Sequence, residues 1–129
     1  MPGPREQFLR RCRQFSAGVL RFAGRFPKNA AGRHLADQIL RSGTSIGANV
    51  AEAQAAQSRA DFISKMNIAL KEAREAAYWL QLLIDAEYIH DDLLMPLAKE
   101  APQLAAMLAQ SIITAKKNGG IVLGRKSGP

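Results

Sequence analysis

Residues 58–85 read SRADFISKMNIALKEAREAAYWLQLLID. Phe62, Met66, Ala69, Ala73, Ala76, Leu80 and Leu83 recur at steps of four and three, the spacing that lines one face of an α-helix. Ile63, Leu70, Ala77 and Ile84 widen that face. Ser58-Arg59-Ala60-Asp61 has the spacing of a capping box, with Asp61 in place of the usual Glu or Gln, so the Ser58 hydroxyl can accept from an early helical amide. The segment predicts a core helix that starts at Ser58 and ends near Asp85.

Upstream, Phe8, Cys12, Phe15, Val19, Phe22 and Phe26 keep the same rhythm and predict a first helix, stopped by Pro27. At about 100° per residue, Arg10, Arg21, Arg25 and Lys28 fall opposite that seam and point to solvent or to a partner. A second helix is expected from about Asn29–Gly32 to Gln57, with Leu35, Ile39, Ser42, Ile46, Val50 and Ala53 on its core face. Leu40, Gly43, Gly47, Ala51 and Ala55 form another stripe on much of the remaining circumference. Each glycine costs about 1 kcal/mol against alanine in a helix, so something must approach that backbone closely. Gly43 and Gly47 have the spacing of close-packed membrane helix pairs, but with polar residues between them only the close approach carries over.

Downstream of a short loop through Tyr88 and His90, Asp91-Asp92 is a suitable N-cap whose charge complements the helix dipole. Leu94, Leu97, Ala101, Leu104, Leu108 and Ile112 then predict a fourth helix running to about Lys117, kinked or briefly broken at Pro102 and terminated by Asn118-Gly119-Gly120. The fold expected is all-α, an antiparallel up-down-up-down bundle over residues 4–117, followed by a basic, mobile tail over 118–129.

Composition agrees. A chain of 129 residues suits one domain, and its few aromatics and many alanines favour packed helices over strands. Cys12 is the only cysteine and cannot form an internal disulfide; together with the lack of a long apolar stretch near the N-terminus, this makes a cytoplasmic setting the expectation. Charged side chains interrupt every hydrophobic run before the roughly 18 residues of a membrane span. Of 18 basic and 11 acidic residues, residues 1–57 hold nine and three, residues 58–115 five and eight, and the last fourteen residues add four positive charges. That asymmetry suits either an anionic partner or complementary faces of neighbouring subunits.

The run Arg41-Ser42-Gly43-Thr44-Ser45-Ile46-Gly47-Ala48-Asn49-Val50-Ala51-Glu52-Ala53, with Ser58, Asp61-Phe62, residues 68–75 and Tyr78-Trp79-Leu80, resembles the four helix bundle protein family, also known as the 23S rRNA intervening-sequence proteins. The resemblance covers roughly residues 5 to 118. It implies a left-handed four-helix bundle that assembles into a ring of five, encoded in some bacteria within insertions in the large ribosomal RNA gene. It also implies kinship with the accessory variability proteins of diversity-generating retroelements, similar rings that associate with reverse transcriptase and nucleic acid. No enzymatic activity comes with it.

The residues suggest no catalytic centre. Cys12 lies on a core seam without a His or carboxylate at a telling spacing and reads as a small hydrophobe. His34 and His90 have no second histidine or cysteine at ligand spacing. Glu72 and Glu75 invite a di-iron reading, but the Glu-x-x-His pattern is missing: Glu75 follows Glu72 by three residues and Tyr78 follows Glu75. These carboxylates, with Lys71 and Arg74, read as ion-pair partners. Arg41, Ser42, Ser45 and Asn49 are either an anion site or groups that satisfy backbone and cross-helix partners.

The expectation is a non-enzymatic module without metal, cofactor or small-molecule substrate, in one of two roles. In the first it is a homo-oligomer, a likeness to rings of five, whose interface uses Leu40, Gly43, Gly47, Ala51 and Ala55. In the second it is an accessory protein that binds RNA or DNA, with a reverse transcriptase or ribosomal RNA as partner, through Arg10, Arg21, Arg25 and Lys28.

Overall fold

The computed structural model describes residues 1–122 and contains four helices: α1 (Pro4–Ala23), α2 (Ala30–Gln54), α3 (Arg59–Asp85) and α4 (Leu94–Val122). No strand occurs among the described residues. Each helix packs on its neighbour in the chain, and α4 also lies against α1, so the four form a closed circuit around one core.

The expected seams fill that core, with Phe8, Leu35 and Phe62 half-buried at its edge. Cys12, Phe15, Val19, Phe22 and Phe26 are buried, as are Ile39, Ser42, Ile46, Val50 and Ala53. From α3 come Met66, Ala69, Leu70, Ala73, Ala76, Leu80 and Leu83, and from α4 every seam residue from Leu94 to Ile112. Burying such side chains is worth roughly 1.5–3 kcal/mol apiece for the larger aliphatics, which outweighs the weak helix propensity of α2.

The helix ends follow local chemistry. Asn29 caps α2 by accepting from the Gly32 amide at 2.8 Å, and Ser58 caps α3 by accepting from the Asp61 amide at 3.0 Å. Asp61 also holds the Lys65 ammonium at 3.0 Å, which keeps its carboxyl below the usual carboxylate range. At the end of α3 the Tyr88 amide reaches the Leu83 carbonyl and the Glu87 amide reaches Ile84, the paired bonds of a Schellman turn. Its left-handed position is filled by Glu87, at φ 50°, where glycine is the usual occupant.

Several helix limits depart from expectation, among them α2, which ends at Gln54 and not at Gln57. α1 ends at Ala23, before Pro27, and Phe26 joins the core from the connection that follows. α4 stays helical through Pro102, whose side chain is exposed, so the helix is not broken there. It also continues past Lys117 and through Gly119-Gly120 to Val122, because glycine lowers helix propensity without removing the N–H that proline lacks. Residues 118–122 are thus helical, and the rest of the expected tail, 123–129, lies outside the described residues.

The α1–α2 and α3–α4 connections meet at one end. Arg25 pairs with Asp91 at 2.8 Å, and the Tyr88 hydroxyl donates to Asn29 Oδ1 at 3.3 Å. The opposite end holds the start of α1, the α2–α3 connection and the last turns of α4, around shared cavities.

Candidate interaction surfaces

On α2, the small-residue stripe is drawn inward. A methyl group added to Gly43 would sit 2.8 Å from Val19 Cγ2, and one added to Gly47 would sit 3.3 Å from Cys12 Cβ. Both glycines therefore admit α1 of the same chain, and Ser16 Oγ completes the approach by donating to the Gly43 carbonyl at 3.0 Å. Gly43 is buried and Leu40 half-buried against the core, which leaves only Ala51 and Ala55 of the expected interface fully exposed. The close approach inferred for these glycines is real, but its partner is intramolecular.

The polar residues of α2 are likewise committed. Ser42, Thr44 and Ser45 donate to carbonyls four residues back, at 2.8, 2.6 and 2.6 Å, and Asn49 Nδ2 does the same to Ser45 at 2.8 Å. Arg41 spans Glu72 and Glu75 of α3, at 3.0 Å to the former. Glu75 also accepts from Trp79 Nε1 at 3.2 Å, and His34 lies edge-on to the Trp79 ring. Of the alternatives for Arg41, Ser42, Ser45 and Asn49, the geometry thus selects internal satisfaction over an anion site. Glu72 and Glu75 face a guanidinium, and among the described residues no group of three or more His, Cys, Asp or Glu is placed to hold a metal. Cys12 is fully buried, and burial pushes its thiol up to about 11, far from a thiolate nucleophile at neutral pH.

The four basic candidates separate. Arg10 and Arg21 lie exposed on α1 without a carboxylate within 4.0 Å among the described residues, and Lys28 is equally unpaired in the connection after it. Arg25 lies beyond the helix and is held by Asp91. Arg11, which the seam reading passed over, is clamped to Glu100 of α4 through Nε and Nη2 at 2.9 and 2.6 Å.

Exposed apolar side chains cluster elsewhere. Within the helices the large ones are Leu20 on α1, Ile68 and Tyr78 on α3, and Met95, Met107 and Ile113 on α4; none is on α2. Residues 101–115 carry no charge at all, so the outer surface of α4 there is built from Pro102, Ala106 and Ile113 among uncharged polar residues. No helix among the described residues is long and apolar enough to cross a membrane.

Four long helices packed around one dense core define an all-α, four-helix protein. A family model described as 23S rRNA-intervening sequence protein matches residues 6–110, and the chain belongs to that family. It is also similar, at 40% identity and a TM-score of 0.75, to a Bacteroides thetaiotaomicron VPI-5482 protein of unknown function from the S23 ribosomal protein family, whose crystal structure was determined at 1.70 Å. That likeness covers 84% of this chain and 96% of the other. A comparison with curated proteins finds no match.

Proposed function

We propose that the chain is a non-enzymatic, cytoplasmic, homo-oligomeric module with a structural or adaptor role, its subunits up-down-up-down, left-handed bundles arranged as a ring of five. The observation that carries self-association is the uncharged outer surface of α4, where an isolated subunit in water would ordinarily display charge. The meeting of both hairpin connections at one end supports the alternating course of the helices. The basic first half and acidic second half suit contact between unlike faces, which closes into a ring when the rotation permits; the number five comes from the family resemblance. Light scattering coupled to size exclusion tests the reading. A mass of five chains is expected, a single chain at micromolar concentration would overturn self-association, and a stable dimer or tetramer would overturn only the ring of five.

A second reading, an accessory protein that binds nucleic acid, is favoured by the unpaired cations Arg10, Arg21 and Lys28. Filter binding of labelled RNA tests it: charge reversal at Arg10 and Arg21 is expected to abolish retention while helical content stays unchanged.

A further inference from the structure

At the end of the bundle away from the two hairpin connections, adjoining cavities of about 280 and 460 Å³ share Arg5, Phe62 and Ser111. The smaller one runs between the first turns of α1 and the far half of α4 and has an apolar floor that includes Phe8 and Met66. The larger adds Arg59, Thr114 and Asn118. Together they put two guanidinium groups and two hydroxyls beside two aromatic rings. No carboxylate lines either cavity, and neither arginine forms an ion pair among the described residues. Arg59 spends one N–H on the Ala115 carbonyl at 3.5 Å, leaving its other donors for a ligand. The cavity at the opposite end is lined by Glu87, Asp91 and Asp92 and would repel an anion.

We propose that this groove binds one nucleotide of a single-stranded nucleic acid, its phosphate between Arg5 and Arg59 and its base against Phe62. Arginine pairs with hydroxyl donors suit phosphate oxygens, and an aromatic wall suits the flat face of any base. A purely apolar ligand would leave both guanidinium groups idle, and a bare anion would leave the aromatic floor uncovered. The proposal rests on the second reading above and extends its contact from the outer face of α1 to the end of the bundle. Because the arginines and the aromatic wall engage groups common to every nucleotide, it predicts little preference among bases.

The test is fluorescence anisotropy of the full chain with a labelled single-stranded oligouridine roughly ten nucleotides long, titrated at several salt concentrations. Arg5→Glu with Arg59→Glu should weaken binding by at least about tenfold and flatten the log-log salt dependence by about 0.7, the value expected for one phosphate contact on a single strand. Phe62→Leu should weaken binding by about tenfold without changing that slope, since stacking releases no counterion. Circular dichroism checks that each variant keeps its helical content; the arginines are exposed, so their variants remain informative even where Phe62→Leu unfolds. If Arg10→Glu with Arg21→Glu abolishes binding while the groove variants bind as wild type, the groove is overturned and the nucleic-acid role survives on α1. Equal affinity for a duplex, or an unaltered affinity in folded Phe62→Leu, overturns the stacking arrangement. Absence of salt-dependent binding by the wild type overturns both the groove and the reading beneath it.

Discussion

Along α2, Gly43 admits α1 so closely that a single methyl group would collide with it and Gly47 would leave one tightly crowded, whereas along α4, Pro102, Ala106 and Ile113 stand on an exposed face without a charge among residues 101–115. In sequence the two stretches look alike, each having more small or apolar residues than one core face can use. Their energetic roles differ. The α2 stripe acts in folding, where close approach and the Ser16 bond offset the poor helix propensity of glycine. The α4 stripe stands exposed and adds little to the isolated fold, and under the proposed function it is the surface that associates. A surplus of small residues therefore marks close contact without saying whether the partner is the same chain or another.

The sharpest check on the folding side is Phe15→Ala, which empties a core position that is 3% exposed. A loss of about 3–5 kcal/mol is expected in thermal or denaturant unfolding; a loss below about 1 kcal/mol would mean that the α1 seam does not bear the core. Gly43→Leu comes next. Val19 is fully buried and β-branched, so it cannot swing aside, and overpacking should lower stability by about 1–3 kcal/mol. The fraction that remains folded should keep the oligomeric mass of the wild type. An unaltered stability with a reduced mass would reverse the comparison and return the α2 stripe to the subunit interface.

Ile113→Arg probes the other stripe. Ile113 is 57% exposed, so monomer stability should change by no more than about 0.5 kcal/mol. Light scattering should nevertheless show smaller species, and an unchanged mass would remove α4 from the interface. The smallest effect belongs to neither stripe. Glu87→Gly relieves the left-handed residue of the Schellman turn and should raise stability by up to about 1 kcal/mol, which sets the sensitivity at which the α4 result must be read.

The helices were legible because each seam repeats over many turns. Met66 to Leu83 and Leu94 to Ile112 keep one face buried whatever the neighbours are, and periodicity alone finds such a face. The direction of the α2 stripe was not legible. Gly43 and Gly47 lie at the edge of the core face, where the 3.6-residue repeat is compatible with an inward or an outward neighbour, and only Val19 and Cys12 decide between them. The α4 end was not legible because Lys116-Lys117-Asn118-Gly119-Gly120 carries no apolar repeat and has the composition of a helix stop, although the helix runs on to Val122. The groove was invisible for another reason: Arg5, Phe62, Arg59 and Ser111 come from three helices, and each looks ordinary in its own segment. Phe62 was read as a core seam residue, and its half-burial was the only difference from its neighbours.

The circuit of helices is not equally tight all round. α1 lies closely along α2 but approaches α4 sparingly, through the Arg11–Glu100 clamp, the Leu97 contact with Gly18, and a stretch near Pro4 to Phe8 where the cavities open. Such a loosely sewn edge is where a bundle breathes. Amides in the first turns of α1 should exchange with solvent through excursions far smaller than global unfolding, while those in the middle of α3 wait for the whole molecule to open. Salt, by screening a half-exposed guanidinium and carboxylate, should quicken the first without moving the second. Anything that wedges into the cavities from either side would then act on the molecule's softest edge and slow the same amides.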